Sequence, residues 1–116
     1  MAEINSKISY NSEEDILNIS KGKGSRASIE VGEFILDIDS NGFVSALEIL
    51  NASENLGIEK NLLNEVKKAK LSILYKPNYL LIWISFNFKG IEKEIRIPLT
   101  IDLGHKKVER QELVVC

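Results

Sequence analysis

Apolar and polar residues alternate over several stretches of the chain, and this alternation predicts β-strands. In "ASIEV" (27–31), Ala27, Ile29 and Val31 share one face. The later stretches "LLIWISFNF" (80–88) and "IEKEIRIPLTI" (91–101) alternate in the same way. A period of two is typical of a strand that buries one face. We therefore predict two β-rich segments built from consecutive hairpins.

The stretch 80–88 is apolar on both of its faces. One face carries five large apolar side chains: Leu80, Ile82, Ile84, Phe86 and Phe88. Leu81 and Trp83 lie on the opposite face. Strands covered on both sides show this composition, so we expect a central strand whose second face is also buried. Leu81 and Trp83 are the candidate interface residues, and a homodimer is the simplest partner.

Between the two β-rich segments, "NASENLGIEKNLLNEVKKAK" (51–70) has the period of a helix. Ile58, Leu62 and Val66 recur at four-residue intervals and form one apolar stripe, with Gly57 separating a first turn from the rest. This predicts one helix around residues 54–69, packed on a sheet. The expected fold class is α+β, mainly antiparallel β-sheets in meander hairpins.

The composition indicates one globular domain of 116 residues, with 44% hydrophobic and 28% charged residues. We expect a β-rich part over 1–58, followed by a helix and a second meander over 59–116. The lone Cys116 is the last residue, which excludes an internal disulfide. No apolar run has the length of a membrane span, so we expect a cytoplasmic protein without a membrane partner. The abundance of Ile, Lys and Glu is common in heat-adapted proteins.

The net charge of −2 is divided unevenly along the chain. Residues 1–58 carry four Lys/Arg and ten Asp/Glu (−6), whereas residues 59–116 carry eleven and seven (+4). A basic second half could bind an acidic protein or nucleic acid. Because the cations are not concentrated in one patch, nucleic acid is not indicated as the first choice, and a basic binding surface stays an alternative.

The hexapeptide "DIDSNG" (37–42) matches the first half of a calcium-binding loop. Counting from Asp37 places Asp39 third, Asn41 fifth, Gly42 sixth and Glu48 twelfth, which are positions such a loop requires. The preceding segment is rich in β-branched residues, however, and no second loop is present. Calcium binding through these residues is therefore the alternative hypothesis.

The favoured interpretation of the hexapeptide is a turn that closes a β-hairpin through a bulge, with Gly42 in the left-handed region. In the predicted register, Ile38 pairs with Val44 and Asp37 pairs with Ser45. Glu48 then lies opposite Phe34, on the apolar side and away from the aspartates. The sequence thus predicts no metal site.

The stretches "KISYNSEEDILNIS" and "VGEFILDIDSNGFVSALEILNASENL" resemble the domain-of-unknown-function 2283 family over roughly residues 6–58. The similarity rests on Tyr10, the acidic residues before the strand at 16–19, the Asp-rich turn at 37–42 and the ending "EILNAS" (48–53). The resemblance implies no known activity or catalytic residue, and it makes an antitoxin-like partner role conceivable. Within the similar region, Asp15 and Glu48 are expected to cap or lock the fold.

No catalytic constellation is visible in the sequence. His105 is the single histidine, and its context predicts an exposed turn. We expect no cofactor and no enzymatic activity. The expected function is a small non-enzymatic interaction module that self-associates or binds a protein partner.

Overall fold

The computed structural model describes residues 2–22, 24–105 and 107–110, and most of these residues lie in β-strands. The elements in chain order are β1 (Ala2–Asn11), β2 (Ile16–Ser20), β3 (Ala27–Val31), β4 (Phe34–Ile38), β5 (Val44–Ile49), α1 (Ala52–Leu56), α2 (Lys60–Leu63), β6 (Val66–Tyr75), β7 (Tyr79–Phe88), β8 (Ile95–Asp102) and β9 (Lys107–Arg110). Every strand pair is antiparallel. The predicted fold class, α+β with antiparallel sheets, is confirmed.

Strand β1 connects two sheets. Its second half, Lys7–Asn11, pairs with β2, and its first half, Ala2–Ser6, pairs with β6. We call β3-β4-β5-β2 with the second half of β1 the first sheet. The first half of β1 with β6-β7-β8-β9 is the second sheet.

A single hydrophobic cluster takes side chains from both sheets and both helices. In β7, all five residues of the face predicted to be buried are at most 6% exposed. Leu17, Ile19, Leu36, Leu47 and Ile49 contribute from the first sheet and are at most 1% exposed. The two sheets therefore face each other across one core. Strand β7, whose inner face is buried in this core, has a second face that points outward.

The predicted helix over residues 54–69 is wrong in its C-terminal part. Two short helices, α1 and α2, occupy residues 52–63, with Gly57 at φ +68° ending the first. Strand β6 begins at Val66. No helix in the described part of the chain is long and apolar enough to cross a membrane.

Strand pairing explains why β6 is not helical. Ala69, Leu71 and Ile73 face the core, while Lys70 and Ser72 face away, which is the period of a strand. Strand β6 pairs with β7 from Val66 to Tyr75 with a bulge near Lys67. These long-range hydrogen bonds and the burial that accompanies them outweigh the local helix propensity of "EVKKAK".

The two faces of β6 predict different responses to the same substitution. We expect Leu71→Ala, at a side chain that is 0% exposed, to lower the free energy of unfolding by about 2–5 kcal/mol. Leu74→Ala, on the outward face, should lower it by about 1 kcal/mol. Chemical denaturation of both variants measures the difference, and equal losses would contradict the assigned strand faces.

Candidate functional site

The hexapeptide "DIDSNG" forms the turn between β4 and β5, which confirms the predicted hairpin. Gly42 has a φ of +85°, a left-handed conformation that glycine adopts without strain. The Asp39 carboxylate accepts hydrogen bonds from the backbone N–H groups of Asn41 (2.9 Å) and Phe43 (3.0 Å). The backbone N–H of Asp39 donates to the Phe43 carbonyl at 2.8 Å. Asp39 therefore stabilises the turn itself.

The predicted register of this hairpin is correct at Ile38–Val44 and wrong beyond it. Asp37 pairs with Ala46 instead of Ser45, and Glu48 pairs with Ile35 instead of Phe34. A bulge beside Ser45 causes the shift, because it inserts one extra residue into β5. Ser45 is 1% exposed, and its hydroxyl donates to the Asp37 carbonyl at 3.2 Å. Glu48 therefore points outward, which corrects its predicted place on the apolar side.

The two other carboxylates among the candidate calcium ligands also have partners within the fold. The Asp37 carboxylate accepts a hydrogen bond from the Ser28 hydroxyl at 2.6 Å. The Glu48 carboxylate accepts one from the Asn18 side-chain amide at 3.0 Å. Strands, not helices, flank the turn on both sides. Within residues 2–22, 24–105 and 107–110, no group of three or more His, Cys, Asp or Glu side chains could hold a metal ion.

Asp15 is a buried carboxylate at the turn between β1 and β2. It is 7% exposed and has a φ of +56°. Its Oδ1 accepts hydrogen bonds from the Tyr10 hydroxyl (2.6 Å) and the Ser53 N–H (3.0 Å). Its Oδ2 accepts one from the Ser53 hydroxyl at 2.6 Å. Asp15 thus ties the β1–β2 turn to the start of α1, as the resemblance led us to expect.

The hydrogen bonds at Asp15 keep this carboxylate ionised. Burial raises its pKa, but the hydrogen bonds from Ser53 and Tyr10 and the charge of Lys60 outweigh this effect. The pKa of Asp15 therefore lies below its ordinary value. Burial also raises the pKa of Tyr10 above its ordinary value, and the hydrogen bond to Asp15 and the charge of Asp15 raise it further. A carboxylate with a lowered pKa is a poor general base. The arrangement is suited to holding the fold together.

Glu33 holds the same segment from the opposite side. Its carboxylate accepts hydrogen bonds from the side-chain amides of Asn51 and Asn55, the latter at 3.2 Å. The backbone carbonyl of Glu33 accepts the Leu50 N–H at 2.9 Å. Asn51 has a φ of +48°, a left-handed conformation that asparagine tolerates better than most residues. The connection from β5 into α1 is therefore held by contacts with two different turns.

Leu81 and Trp83 lie half-buried on the outward side of the second sheet, the face predicted for them. We call this surface, formed by β6, β7 and β8, the outer face. Trp83 lies between Ser72 of β6 and Pro98 of β8, and the Arg96 guanidinium carbon is 5.7 Å from its ring centroid. In the next row, Leu81 lies between two further outer-face residues, Leu74 and Thr100. These rows form the uncharged middle of the outer face, and the row beyond Leu81 pairs Tyr79 with Asp102.

Cations occupy the other end of the outer face. Lys70 and Arg96 lie on either side of Ser85 in register. Lys68 lies beside Asn87 in the row beyond. The second half of the chain therefore places three of its positive charges on the same surface as Trp83.

A cluster of exposed apolar residues at one end of the two sheets was missed by the sequence analysis. Phe43 is 54% exposed and Tyr75 is 39% exposed, with their ring centroids 5.5 Å apart in an edge-to-face contact. The Val44 N–H donates to the Tyr75 hydroxyl at 2.9 Å, which connects the first sheet to the second. Beside them opens a cleft of about 220 Å³. The sequence feature that could have indicated this cluster is an aromatic residue next to each of two hairpin turns.

His105 lies in an exposed turn after β8, as predicted. Its side chain is 81% exposed, and its Nδ1 is 2.9 Å from the Asp102 carboxylate. The backbone N–H of His105 donates to the same carboxylate at 3.0 Å. These hydrogen bonds lower the pKa of Asp102. The pair therefore closes a surface turn.

Comparison with known proteins confirms the predicted resemblance for the first sheet. Residues 7–53 match the family described as "Protein of unknown function (DUF2283)". An uncharacterized protein of Methanocaldococcus jannaschii is 38% identical over 55 residues, which is 47% of this chain and 47% of that protein. The chain thus spans about half the length of this curated relative. No solved structure matches the chain.

The matched segment is also a structural unit. It contains the strands of the first sheet together with Tyr10, Asp15 and Ser53. Most of the second sheet, including the outer face, lies beyond residue 53. The similarity to the family therefore concerns the part of the fold that Asp15 holds together.

We predict that Asp15→Asn lowers the free energy of unfolding by about 1–3 kcal/mol at pH 7, because buried donors lose a charged acceptor. Asparagine tolerates the positive φ at this position, so the backbone should be little strained. The folded-state pKa of Asp15 lies below its unfolded value. Its stabilising contribution is therefore complete above about pH 4 and is lost as the pH falls through the folded value.

Denaturant titrations of the wild type and Asp15→Asn at several pH values test this prediction. The difference between the two proteins should shrink below about pH 4. Asp37→Asn is the matched control, since Asp37 has a surface hydroxyl partner. A difference that stays constant down to pH 2.5, roughly a unit below the ordinary carboxylate pKa, would contradict the assigned role of the Asp15 charge.

Proposed function

We propose that this chain is a non-enzymatic interaction module that associates with a second copy of itself through the outer face. The observation that carries the proposal is the position of Leu81 and Trp83. Both side chains lie outside the core, on a strand whose inner face is already completely buried. A tryptophan on the solvent side of a sheet is typical of an interface residue.

The environment of Trp83 supports a role in packing against another surface. Its neighbours Ser72 and Ser85 are 5% and 7% exposed although they lie on the outer face. Larger side chains around them therefore cover these small residues and leave a low, continuous surface. Such a surface can approach a second sheet closely, as facing sheets do in a β-sandwich.

The size of the second sheet is sufficient for a stable dimer. It has five strands, of which β6 and β7 are ten residues long. With strands about 4.8 Å apart and about 3.3 Å per residue, the strands of this sheet cover roughly 600 Å² on one side. Side chains that project from the sheet add to this flat area and bring it toward the approximately 800 Å² that each partner buries in a standard interface.

The distribution of charge favours one arrangement of the two copies. If the two-fold axis passes near Leu81 and Trp83, the apolar rows of the two copies meet at the centre. The lysines Lys68 and Lys70 then lie toward opposite ends of the interface, while Arg96 stays beside the Trp83 ring of its own copy. This arrangement avoids placing like charges directly opposite each other, which would destabilise the dimer.

The non-enzymatic part of the proposal is supported by the partners of the polar groups. Asp15 and Ser53 bind each other in the fold, and Asp39 binds the backbone of its own turn. Each of these groups has a structural role that accounts for its position.

A second candidate function is the binding of an acidic partner, and an antitoxin-like role is one form that it would take. The observation in its favour is the presence of Lys68, Lys70 and Arg96 on the same surface as Trp83. Cations beside an exposed aromatic ring also suit single-stranded nucleic acid.

For self-association, we predict that Trp83→Glu converts a dimer into a monomer. Placing a charge at the centre of the apolar rows removes packing and adds a desolvation cost. Leu81→Lys should act in the same direction. The dissociation constant, measured by sedimentation equilibrium, should rise at least about tenfold for either variant. Phe43→Glu is the matched control, since Phe43 is 54% exposed and lies in the turn between β4 and β5 of the first sheet.

Sedimentation of the wild type as a strict monomer at high concentration would contradict self-association. A mass unaffected by either outer-face variant would place the interface elsewhere. The second candidate predicts a different result: a shift of single-stranded DNA at low salt that Lys70→Glu abolishes. A blank gel at low salt would remove nucleic acid as the partner.

A further inference from the structure

We propose that the cleft at the end of the two sheets binds a small carboxylate that carries a short alkyl chain. The cleft lies away from the outer face, and the proposal does not depend on self-association. The lining residues on which the proposal depends are Ile29, Leu36, Ile38, Val44, Tyr75, Lys76 and Leu80.

The walls of the cleft are apolar, and the residues that form them differ in their exposure. Leu36 and Val44 are 1% exposed and Leu80 is 6% exposed, so these side chains form its base. Ile29 and Tyr75, at 38% and 39% exposed, form its rim. The volume of about 220 Å³ is below the range of roughly 300–1,000 Å³ typical for drug-sized ligands. A short alkyl chain suits this space.

The cleft exists because the two sheets are not closed on this side. Strand β3 is the last strand of the first sheet and leaves four of its five residues exposed. Ile29 consequently points toward the interior without the cover that a further strand would provide. An inward apolar side chain at an open edge is a favourable contact for an apolar ligand.

Tyr75 supplies a hydrogen-bond donor at the cleft. Its hydroxyl oxygen accepts the Val44 N–H, so the hydroxyl hydrogen is available for another partner. Burial raises the pKa of Tyr75, and the charge of Asp39 raises it too, against the opposing effect of the Val44 N–H. The hydroxyl therefore remains protonated at neutral pH and can donate to a carboxylate oxygen.

Lys76 supplies the positive charge. It lines the cleft, and its backbone N–H donates to the Tyr79 carbonyl at 3.0 Å, which holds the β6–β7 turn in place. The charge of Asp39 reaches Tyr75 and opposes a bound carboxylate, but two backbone N–H groups of its own turn donate to its Oδ1 and offset part of that charge. A lysine and a hydroxyl donor among the residues that line an apolar cleft are complementary to a carboxylate with an alkyl chain.

Octanoate is the probe for this site, used with the full chain. In an NMR titration, octanoate should shift the backbone amide signals of Ile38, Val44 and Leu80. Lys76→Gln should weaken binding about tenfold, because it removes a charge-assisted hydrogen bond. Lys89→Gln, at the turn between β7 and β8, is the matched control and should leave the affinity unchanged. Tyr75→Phe should also weaken binding, and 1-octanol should bind less tightly than octanoate.

Three results would overturn the proposal. The first is no change in these amide signals at octanoate concentrations below micelle formation. The second is an equal effect of the two lysine substitutions, which would indicate a non-specific attraction. The third is equal affinity for octanoate and 1-octanol, which would show that the carboxylate is not recognised.

Discussion

The pairing of β1 with both sheets is the constraint on which the rest of the structure depends. One half of this strand continues the first sheet, and the other half begins the second. Because a single strand belongs to both, the two sheets face each other across one hydrophobic cluster. The inner face of β7 is thereby buried, and its other apolar residues, Leu81 and Trp83, are left on the outside. The proposed interaction surface is a direct consequence of this connection.

The chain divides its polar residues between holding the fold and forming its surface. Asp15 and Glu33 each connect a turn of the first sheet to the segment around α1. Both residues lie within the segment that matches the family. The cations of the outer face lie in the second sheet, beyond that segment. Similarity to the family therefore describes the stable framework, while the surfaces proposed for binding are built mainly from the remaining part of the chain.

Strong alternation along the sequence predicted the strands well. The buried face of β7 and the turn at Gly42 could be predicted because each depends on local pattern and backbone chemistry. The register from Asp37 onward could not be predicted, because a bulge of one residue shifts the pairing of every following residue and leaves no mark in the sequence pattern. The first residues of β6 were mistaken for helix because this lysine-rich stretch has local helix propensity. Only its long-range pairing with β7 reveals a strand.

The two candidate binding surfaces also differ in how well they could be predicted from the sequence. Leu81 and Trp83 could be located from sequence, because two apolar faces on one strand are visible in the pattern. The cleft beside Tyr75 could not, because it combines residues from five strands and three turns that meet only after folding. The partners of Asp15 were hidden for a similar reason, since Ser53 is 38 residues away in sequence.

Fluorescence quenching of Trp83, the single tryptophan, tests the central claim most directly. Acrylamide should quench its emission in dilute solution and should quench it progressively less as the protein concentration rises, because a second copy covers the ring. A quenching constant that is independent of protein concentration would contradict the claim that the outer face is the surface of association.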